Sequence, residues 1–296
     1  MTARLLDGKA IAATIRAEVA ENTAAMARRG VIPGLAVVLV GEDPPSQMYV
    51  RSKGKACLEA GMHSETIILP SETRAEELLA IIDRLNADPA IHGILVQTPL
   101  PPHIDPDTVM RRIEPGKDVD GFHPMNVGKL VLGDPTAFRP ATPYGIQEIL
   151  RRSGVVTKGA NAVVVGRSTI VGRPMANLLM QPGPVGDATV TVCHSRTRDL
   201  AGVCRTADIL VVAIGRANLI GADAVKPGAT VIDVGINRVD DPSQPKGYRV
   251  AGDVDFHAVK EIVGAITPVP GGVGPMTIAM VLSNTLQAAT LRHGIA

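Results

Sequence analysis

Apolar runs alternate with amphipathic segments along nearly the whole chain. Short, mostly Val- and Ile-rich runs predict buried strands at 35–40, 66–69, 94–96, 162–165, 189–192, 209–213, 230–233 and 264–266. Helical patterns and capping signals predict the main helices at 8–29, 43–61, 74–85, 142–152 and 275–291. Alternating strands and helices are typical of parallel sheets covered on both faces. We therefore predict an α/β protein.

The alternation falls into two series. Residues 114–132 are rich in glycine and predict an irregular loop, and the helix at 142–152 predicts a connector to the second series. This division predicts two lobes. The pattern leaves open which lobe the closing helix packs against.

Composition narrows the function. The 296 residues are 45% apolar but include only three Tyr, three Phe and no Trp, and 30 Lys and Arg balance 29 Asp and Glu. Disordered chains, base-stacking single-strand binders and strongly charged binders are therefore excluded. Three scattered cysteines and histidines without ligand spacing predict neither a disulfide framework nor a metal site. We expect a cytoplasmic protein with no membrane span and no nucleic-acid partner.

A glycine turn follows the strand at 162–165. Gly166-Arg167-Ser168 leads into a helix, an arrangement in which backbone N–H groups can meet a nucleotide pyrophosphate. Ser168 stands where the usual dinucleotide motif has its second glycine, and Gly172 comes one residue late. An ordinary tight turn between strand and helix is the alternative.

The end of the next strand indicates which nucleotide would bind. NAD-binding sheets usually carry a carboxylate there for the ribose hydroxyls, but this chain has His194-Ser195-Arg196. Arg167, Ser168, Ser195 and Arg196 could instead hold a 2′-phosphate. This pattern favours NADP over NAD, unless these residues are simply solvated loop positions.

A second group of residues suggests proton transfer. Tyr49 and Lys53 are four residues apart on one helical face, and a buried lysine is a candidate base. Gln97 ends a strand and could orient the amine without adding charge. Asp118 and Asp120 could hold a heterocycle through its N–H groups. The alternatives are a surface lysine beside a half-buried tyrosine, a strand-end hydrogen bond, and ordinary turn chemistry.

Several segments in order carry a resemblance to a known family. They are Tyr49-Val-Arg-Ser-Lys53, Gly93-Ile-Leu-Val-Gln97, Pro115-Gly-Lys-Asp-Val-Asp-Gly-Phe122, Val165-Gly-Arg-Ser168, Val231-Ile-Asp-Val-Gly-Ile-Asn237, Gly252-Asp-Val-Asp255 and Thr267-Pro-Val-Pro-Gly-Gly-Val-Gly-Pro-Met276. Together they resemble the bifunctional methylenetetrahydrofolate dehydrogenase/methenyltetrahydrofolate cyclohydrolase family. Two positions depart from its pattern, Thr98 where Leu is usual and Ala141 where Cys is usual.

The resemblance implies a reaction and roles for residues. Such enzymes oxidise 5,10-methylenetetrahydrofolate with NADP and hydrolyse the methenyl product to 10-formyltetrahydrofolate. The implied catalytic residues are Lys53 as general acid/base, Tyr49 packing on the folate, Gln97 tuning Lys53, and Asp120 anchoring the pterin. The other implied substrate-binding residues are Val96, Pro270, Gly271 and Gly272. The implied NADP-binding residues are Gly166, Arg167, Ser168, Ser195 and Ile236.

The resemblance also implies an architecture. Residues 1–139 and 275–296 would form a folate-binding catalytic domain, to which the closing helix returns, and residues 140–274 a Rossmann-type NADP-binding domain. Family members are typically homodimers paired through the cofactor lobe, and the implied setting is one-carbon metabolism and purine biosynthesis in the cytoplasm. Two other functions stay open, a dehydrogenase without useful cyclohydrolase activity and a ligand-sensing α/β module without turnover.

Overall fold

Strands and helices alternate through most of the chain, as the pattern predicts. The structure, a computed structural model, describes residues 2–244 and 246–295. The strands in these ranges are β1 (Arg4–Leu5), β2 (Gly34–Val40), β3 (His63–Leu69), β4 (Gly93–Val96), β5 (Asn161–Val165), β6 (Thr189–Cys193), β7 (Ile209–Val212), β8 (Thr230–Asp233), β9 (Asn237–Asp240), β10 (Tyr248–Ala251) and β11 (Ala265–Ile266). The α-helices are α1 (Gly8–Ala27), α2 (Pro44–Glu59), α3 (Ala75–Ala87), α4 (Pro106–Arg112), α5 (Pro124–Leu132), α6 (Ala141–Arg152), α7 (Gly172–Met180), α8 (Leu200–Cys204), α9 (Phe256–Val259) and α10 (Val273–His293).

The chain divides into two compact units. Unit 1 comprises Met1–Ala12 and Thr142–Thr277, and unit 2 comprises Ala13–Ala141 and Ile278–Ala296. The resemblance assigns residues 1–12 to the catalytic domain, whereas by their contacts these residues group with unit 1. β1 pairs in parallel with β11 and therefore adds a strand to the sheet of unit 1.

Unit 1 is built on a six-stranded sheet in the order β1-β11-β8-β7-β5-β6. Every pairing in it is parallel, and the side chains of β7 and most of β5 are buried. The strand order reverses at β5, because the chain continues to β6 on one side and then crosses to β7 on the other. Open parallel sheets bind ligands at the carboxyl ends of the strands beside such a reversal. β9 and β10 form a separate antiparallel hairpin.

Unit 2 has a three-stranded parallel sheet in the order β3-β2-β4. All seven residues of β2 are buried, as expected for a central strand between two layers. Leu78, Ile82 and Leu85 of α3 pack into the core beside this sheet. From α10, the Asn284 side chain donates hydrogen bonds to the Val119 carbonyl at 2.8 Å and the Arg139 carbonyl at 2.9 Å. The closing helix thus returns to the N-terminal lobe.

The prediction of an irregular loop through residue 132 is wrong for its second half, where α5 forms. Pro124 occupies the first turn, and the His123 ring accepts a hydrogen bond from the Met125 N–H at 3.1 Å. Gly133 ends the helix in the left-handed conformation with φ of 71°. Leu130 is buried. The helix therefore has start and stop signals that the glycine content of the segment obscured.

Two histidines link α10 to the sheet of unit 2. The Gly34 N–H donates to Nδ1 of the buried His92 at 3.1 Å, so this nitrogen carries no proton. The neutral ring then carries its proton on Nε2, which lies 3.1 Å from Nε2 of His293. His293 must accept this hydrogen bond. Burial, followed by the nearby charges of His293, Arg292 and Lys117, lowers the pKa of His92 to about 4.

Within the described ranges, no helix is both long enough and apolar enough to cross a membrane.

Candidate active site

Helix α2 carries the predicted lysine and tyrosine of unit 2. Asp43 caps its start by accepting hydrogen bonds from the backbone N–H and the hydroxyl of Ser46, at 2.9 and 2.6 Å. Lys53 lies one turn after Tyr49 and is only 7% exposed, whereas Tyr49 is 37% exposed. The alternative of a surface lysine is therefore wrong. An amine in this position loses most of its water, while the tyrosine ring beside it stays accessible.

Gln97 provides the amine with a neutral partner. Its backbone N–H donates to the Val38 carbonyl at 2.8 Å, which fixes the residue just beyond the end of β4. The side-chain Nε2 donates to the Thr98 carbonyl at 2.8 Å, and Oε1 accepts from Lys53 Nζ at 3.0 Å. The Thr98 carbonyl can only accept, so the amide must present its oxygen to the lysine. This contact is available to the amine in both protonation states.

The charges around Lys53 oppose each other. Burial lowers the pKa of Lys53 below its usual range, and the nearby Asp120 carboxylate partly offsets that shift. Burial raises the pKa of Asp120 to about 6, Lys53 opposes the rise, and Asp118 adds to it. No hydrogen bond from residues 2–244 or 246–295 reaches the Asp120 carboxylate. The site thus holds an amine and a carboxyl group whose pKa values both shift towards neutral pH.

Asp118 supports the fold of this turn, as the turn-chemistry alternative predicts. It is 2% exposed, and its Oδ2 accepts from Asn126 Nδ2 at 2.9 Å and from the His123 N–H at 2.8 Å. Burial raises the pKa of Asp118, with these hydrogen bonds opposing the rise. The carboxylate therefore connects the turn that contains Asp120 to the start of α5.

The glycine turn of unit 1 lies at the reversal of strand order. The Gly166 N–H donates to the Cys193 carbonyl at 2.9 Å, so the turn lies beside the end of β6. Gly166 has φ of 137°, and a Cβ there would collide with the Ala213 carbonyl beyond β7. The Ser168 hydroxyl accepts from the N–H groups of Val171 and Gly172, at 3.1 and 3.3 Å. It thereby caps the start of α7 while its own proton remains available to an acceptor.

These residues fit a phosphorylated dinucleotide. A Cβ at Gly172 would collide with the Gly166 backbone, so the turn holds a closely packed backbone. Arg167, Ser195 and Arg196 are exposed at the carboxyl ends of neighbouring strands. Residues 193–197 contain no carboxylate that would repel a 2′-phosphate. Ile236, after β8, is 57% exposed at the same edge.

The predicted substrate turn lies in unit 1. Pro270, Gly271 and Gly272 follow β11, and the Lys9 N–H at the start of α1 donates to the Gly271 carbonyl at 2.9 Å. Tyr49, Lys53, Val96, Gln97 and Asp120 all belong to unit 2. The structure thus brings Lys53, Gln97 and Asp120 together within unit 2.

Sequence reasoning missed one residue at the carboxyl edge of the unit 1 sheet. Asp253 belongs to the quoted segment Gly252-Asp-Val-Asp255, but the pattern assigned it no role. It is fully buried and accepts four hydrogen bonds, three of them from backbone N–H groups just beyond β7. The only sequence signal is a carboxylate directly after Gly252, between small and apolar residues. No group of His, Cys, Asp or Glu in the described residues has the arrangement of a metal site.

Comparisons with known proteins match each part of the chain to a known domain. Residues 6–120 match the catalytic domain of tetrahydrofolate dehydrogenase/cyclohydrolase, and residues 140–293 match its NAD(P)-binding domain. The chain is 60% identical over 287 residues to bifunctional protein FolD 1 of Myxococcus xanthus, covering 97% of this chain and 98% of the relative. The Campylobacter jejuni FolD crystal structure is 49% identical with a TM-score of 0.91, covering 97% of this chain and 99% of that one. The Trypanosoma brucei FolD structure, complexed with NADP and an inhibitor, is 43% identical with a TM-score of 0.93 over 100% of both chains.

The fold and the match to both family domains define a two-domain NAD(P)-dependent dehydrogenase that also has cyclohydrolase activity. The chain belongs to the tetrahydrofolate dehydrogenase/cyclohydrolase family. It is a bifunctional methylenetetrahydrofolate dehydrogenase and cyclohydrolase of folate one-carbon metabolism, and its cofactor is NADP.

Proposed function

We propose that Lys53 performs the proton transfers of the cyclohydrolase step. The observation that carries this proposal is the buried Lys53 amine held at 3.0 Å from the Gln97 oxygen. A water oxygen bonds to the methenyl carbon, and Lys53 Nζ accepts a proton from that water. The resulting carbinolamine hydroxyl then loses its proton as the carbonyl forms and the bond from this carbon to N5 breaks. N5 takes up one of the two water protons, the other is released to solvent through Lys53, and the formyl group stays on N10. Because the carbon is already electrophilic, a positioned base is sufficient.

The neighbouring residues have supporting roles. Gln97 orients the lysine while leaving it uncharged, since its Oε1 accepts a hydrogen bond without adding negative charge. Asp120 anchors the pterin, because its carboxylate, which has no hydrogen-bond donor in the described residues, can accept hydrogen bonds from the N–H groups of the pterin. The half-exposed Tyr49 packs on the folate. Val96 and the turn from Pro270 to Gly272 complete the proposed substrate contacts.

The dehydrogenase step requires binding and orientation more than acid–base chemistry. NADP, when bound, accepts the hydride from the methylene carbon. Gly166, Arg167, Ser168, Ser195 and Ile236 hold it at the carboxyl edge of the unit 1 sheet. The exposed Arg167 and Ser195 and the carboxylate-free end of β6 support 2′-phosphate recognition and hence a preference for NADP over NAD.

Replacing Gln97 with Glu tests the tuning of Lys53. A carboxylate at 3.0 Å from Nζ would favour the charged amine, so the pKa of Lys53 should rise. We expect the acid limb of the cyclohydrolase kcat/KM profile to move about one pH unit to the alkaline side, a loss of about tenfold near neutral pH. Stopped-flow measurement of methenyl decay across pH checks this. An unshifted profile, or an equal shift in Gln97→Met, would contradict the role of Gln97.

Replacing Arg167 with Ala tests recognition of the 2′-phosphate. Losing one exposed charge-assisted contact should lower kcat/KM for NADP about fivefold to tenfold and leave the smaller value for NAD nearly unchanged. Initial rates with both coenzymes measure the preference. Lys158→Ala is the matched control, because Lys158 is exposed just before the amino end of β5, at the opposite edge of the sheet. Equal losses with NAD and NADP would contradict the assignment.

The setting of the enzyme is also part of the proposal. The chain forms a homodimer paired through unit 1, acts in the cytoplasm, has no nucleic-acid partner, and supplies formyl groups for purine biosynthesis. β6 supports the pairing, because it is an edge strand with Val192 39% exposed. Light scattering should give twice the 30.9 kDa chain mass. A monomer mass would contradict the dimer, and loss of the dimer is expected when Val192 is replaced by Lys.

A further inference from the structure

A pair of buried carboxylates joins the loops at the carboxyl edge of the unit 1 sheet. Asp253 is fully buried, and its Oδ2 accepts from the N–H groups of Ile214 at 2.6 Å and Gly215 at 2.9 Å. Its Oδ1 accepts from the Arg216 N–H at 2.8 Å and from Asn237 Nδ2 at 2.9 Å. One carboxylate thus connects the loop that follows β7 with the residue that follows Ile236.

Asp233 holds Asp253 from the other side. At the end of β8, its carboxylate accepts from the N–H groups of Gly235 and Asp253, each at 2.9 Å, and of Val254 at 3.0 Å. A Cβ at Gly252 would collide with this carboxylate, which explains the glycine before Asp253. These contacts therefore hold the backbone at Asp253 so that its side chain faces the loop after β7 in one orientation.

The two connected loops lie where a cofactor would bind. The loop at 214–216 follows β7, which is next to β5 at the reversal of strand order, and Ala213 contacts Gly166 across that position. Ile236 lies between two residues that the carboxylates hold, Gly235 and Asn237. We propose that Asp253 is a positioning residue that holds both loops in their binding conformation before NADP arrives. It acts through the loops and does not touch the cofactor.

Preorganisation predicts a specific kinetic result. When a side chain already holds the loops in order, binding of the cofactor does not have to include the free-energy cost of ordering them. Removal of that side chain therefore weakens binding but leaves the bound state intact. This inference rests on the proposed position of NADP at this edge. The cyclohydrolase step needs no NADP and depends on Lys53 in unit 2, so it provides an internal control within the same chain.

The test compares Asp253→Asn with the wild type. In the variant, the amide NH2 group faces backbone N–H donors and cannot accept hydrogen bonds from them. Hydrogen exchange at residues 214–216 of the NADP-free protein should therefore accelerate at least tenfold, as measured by mass spectrometry. The Kd and KM for NADP should rise about tenfold, with kcat at saturating NADP and cyclohydrolase turnover within about twofold of wild type. Asp255→Asn is the matched control, since the Asp255 side chain caps α9 by accepting from the Ala258 N–H and makes no hydrogen bond with the loop at 214–216 in the described residues.

Other results would overturn the proposal. The proposal is overturned if Asp253→Asn leaves hydrogen exchange at residues 214–216 unchanged or leaves the Kd for NADP unchanged. It is also overturned if kcat falls while the KM for NADP stays the same. If Asp253→Asn does not fold, Asn237→Ala removes one of the four donors and should raise the Kd about threefold; an unchanged Kd there overturns the proposal equally. Failure of the proposed cofactor position is distinguishable, because NADP would then leave exchange at residues 166–168 of the wild type unprotected.

Discussion

Replacing Lys53 with Met should lower cyclohydrolase turnover by a factor of about 10²–10⁴, the usual contribution of a positioned proton-transfer group. Met keeps most of the apolar stem in its buried position but has no nitrogen to accept a proton from water. Dehydrogenase turnover should stay within a few-fold, because hydride transfer requires no protein base. Parallel assays of NADPH formation from the methylene substrate and of decay of the methenyl compound measure both effects.

The matched control for this variant is Lys55→Met. Lys55 is on the same helix, but its side chain is 78% exposed and pairs with Glu59 at 3.7 Å. Both activities should remain close to wild type in this variant. If Lys53→Met hydrolyses the methenyl compound at the wild-type rate, Lys53 is not the base. An equal loss of both activities would indicate a structural role instead.

The free energy of unfolding should fall as the pH is lowered, and the titration of His92 should account for about 2 kcal/mol of that fall between pH 8 and pH 5. The folded state keeps His92 neutral, because its pKa is about 4 in the fold and 6.5 in an ordinary, solvated histidine. The unfolded chain therefore takes up a proton first as the pH drops. This contribution is fully present above about pH 6.5 and is lost progressively towards pH 4. Urea titrations followed by circular dichroism measure it.

The variant that isolates this effect is His92→Asn. Its side-chain oxygen can accept the Gly34 N–H in place of Nδ1, but it does not titrate. We expect lower stability at pH 8, where the contact with His293 is lost, and a pH dependence about 2 kcal/mol smaller than that of the wild type. His257→Gln, at an exposed position, is the control and should keep the wild-type dependence. An undiminished pH dependence in His92→Asn would refute the assignment.

Much of the fold could be predicted because most strands have a recognisable local sequence pattern. β2, β5 and β7 are continuous apolar runs, and each forms as predicted within about one residue. β1 could not be predicted, because a two-residue strand carries no periodicity and exists only through its pairing with β11. The helix α5 was hidden by glycines, although Pro124 and Gly133 mark its ends.

The candidate site likewise has a part that local sequence predicts and a part that it does not. The i, i+4 spacing puts Tyr49 and Lys53 on one face from local geometry alone. That Lys53 is buried and touches Gln97 depends on residues 44 positions apart, which no local pattern encodes. The Asp253 network also joins residues 16 to 39 positions apart, and His92 and His293 are 201 positions apart. The family resemblance supplied the joint assignment of Lys53 and Gln97.

The division of the chain between the units has a consequence for biosynthesis. Unit 2 is built from residues 13–141 and 278–296, and residues 142–277 of unit 1 lie between these two stretches. Asn284, which joins Val119 and Arg139, is 165 and 145 positions away from them in sequence. Because the chain is made from its N-terminal side, the catalytic lobe acquires these hydrogen bonds only after the intervening segment of unit 1 has been synthesised.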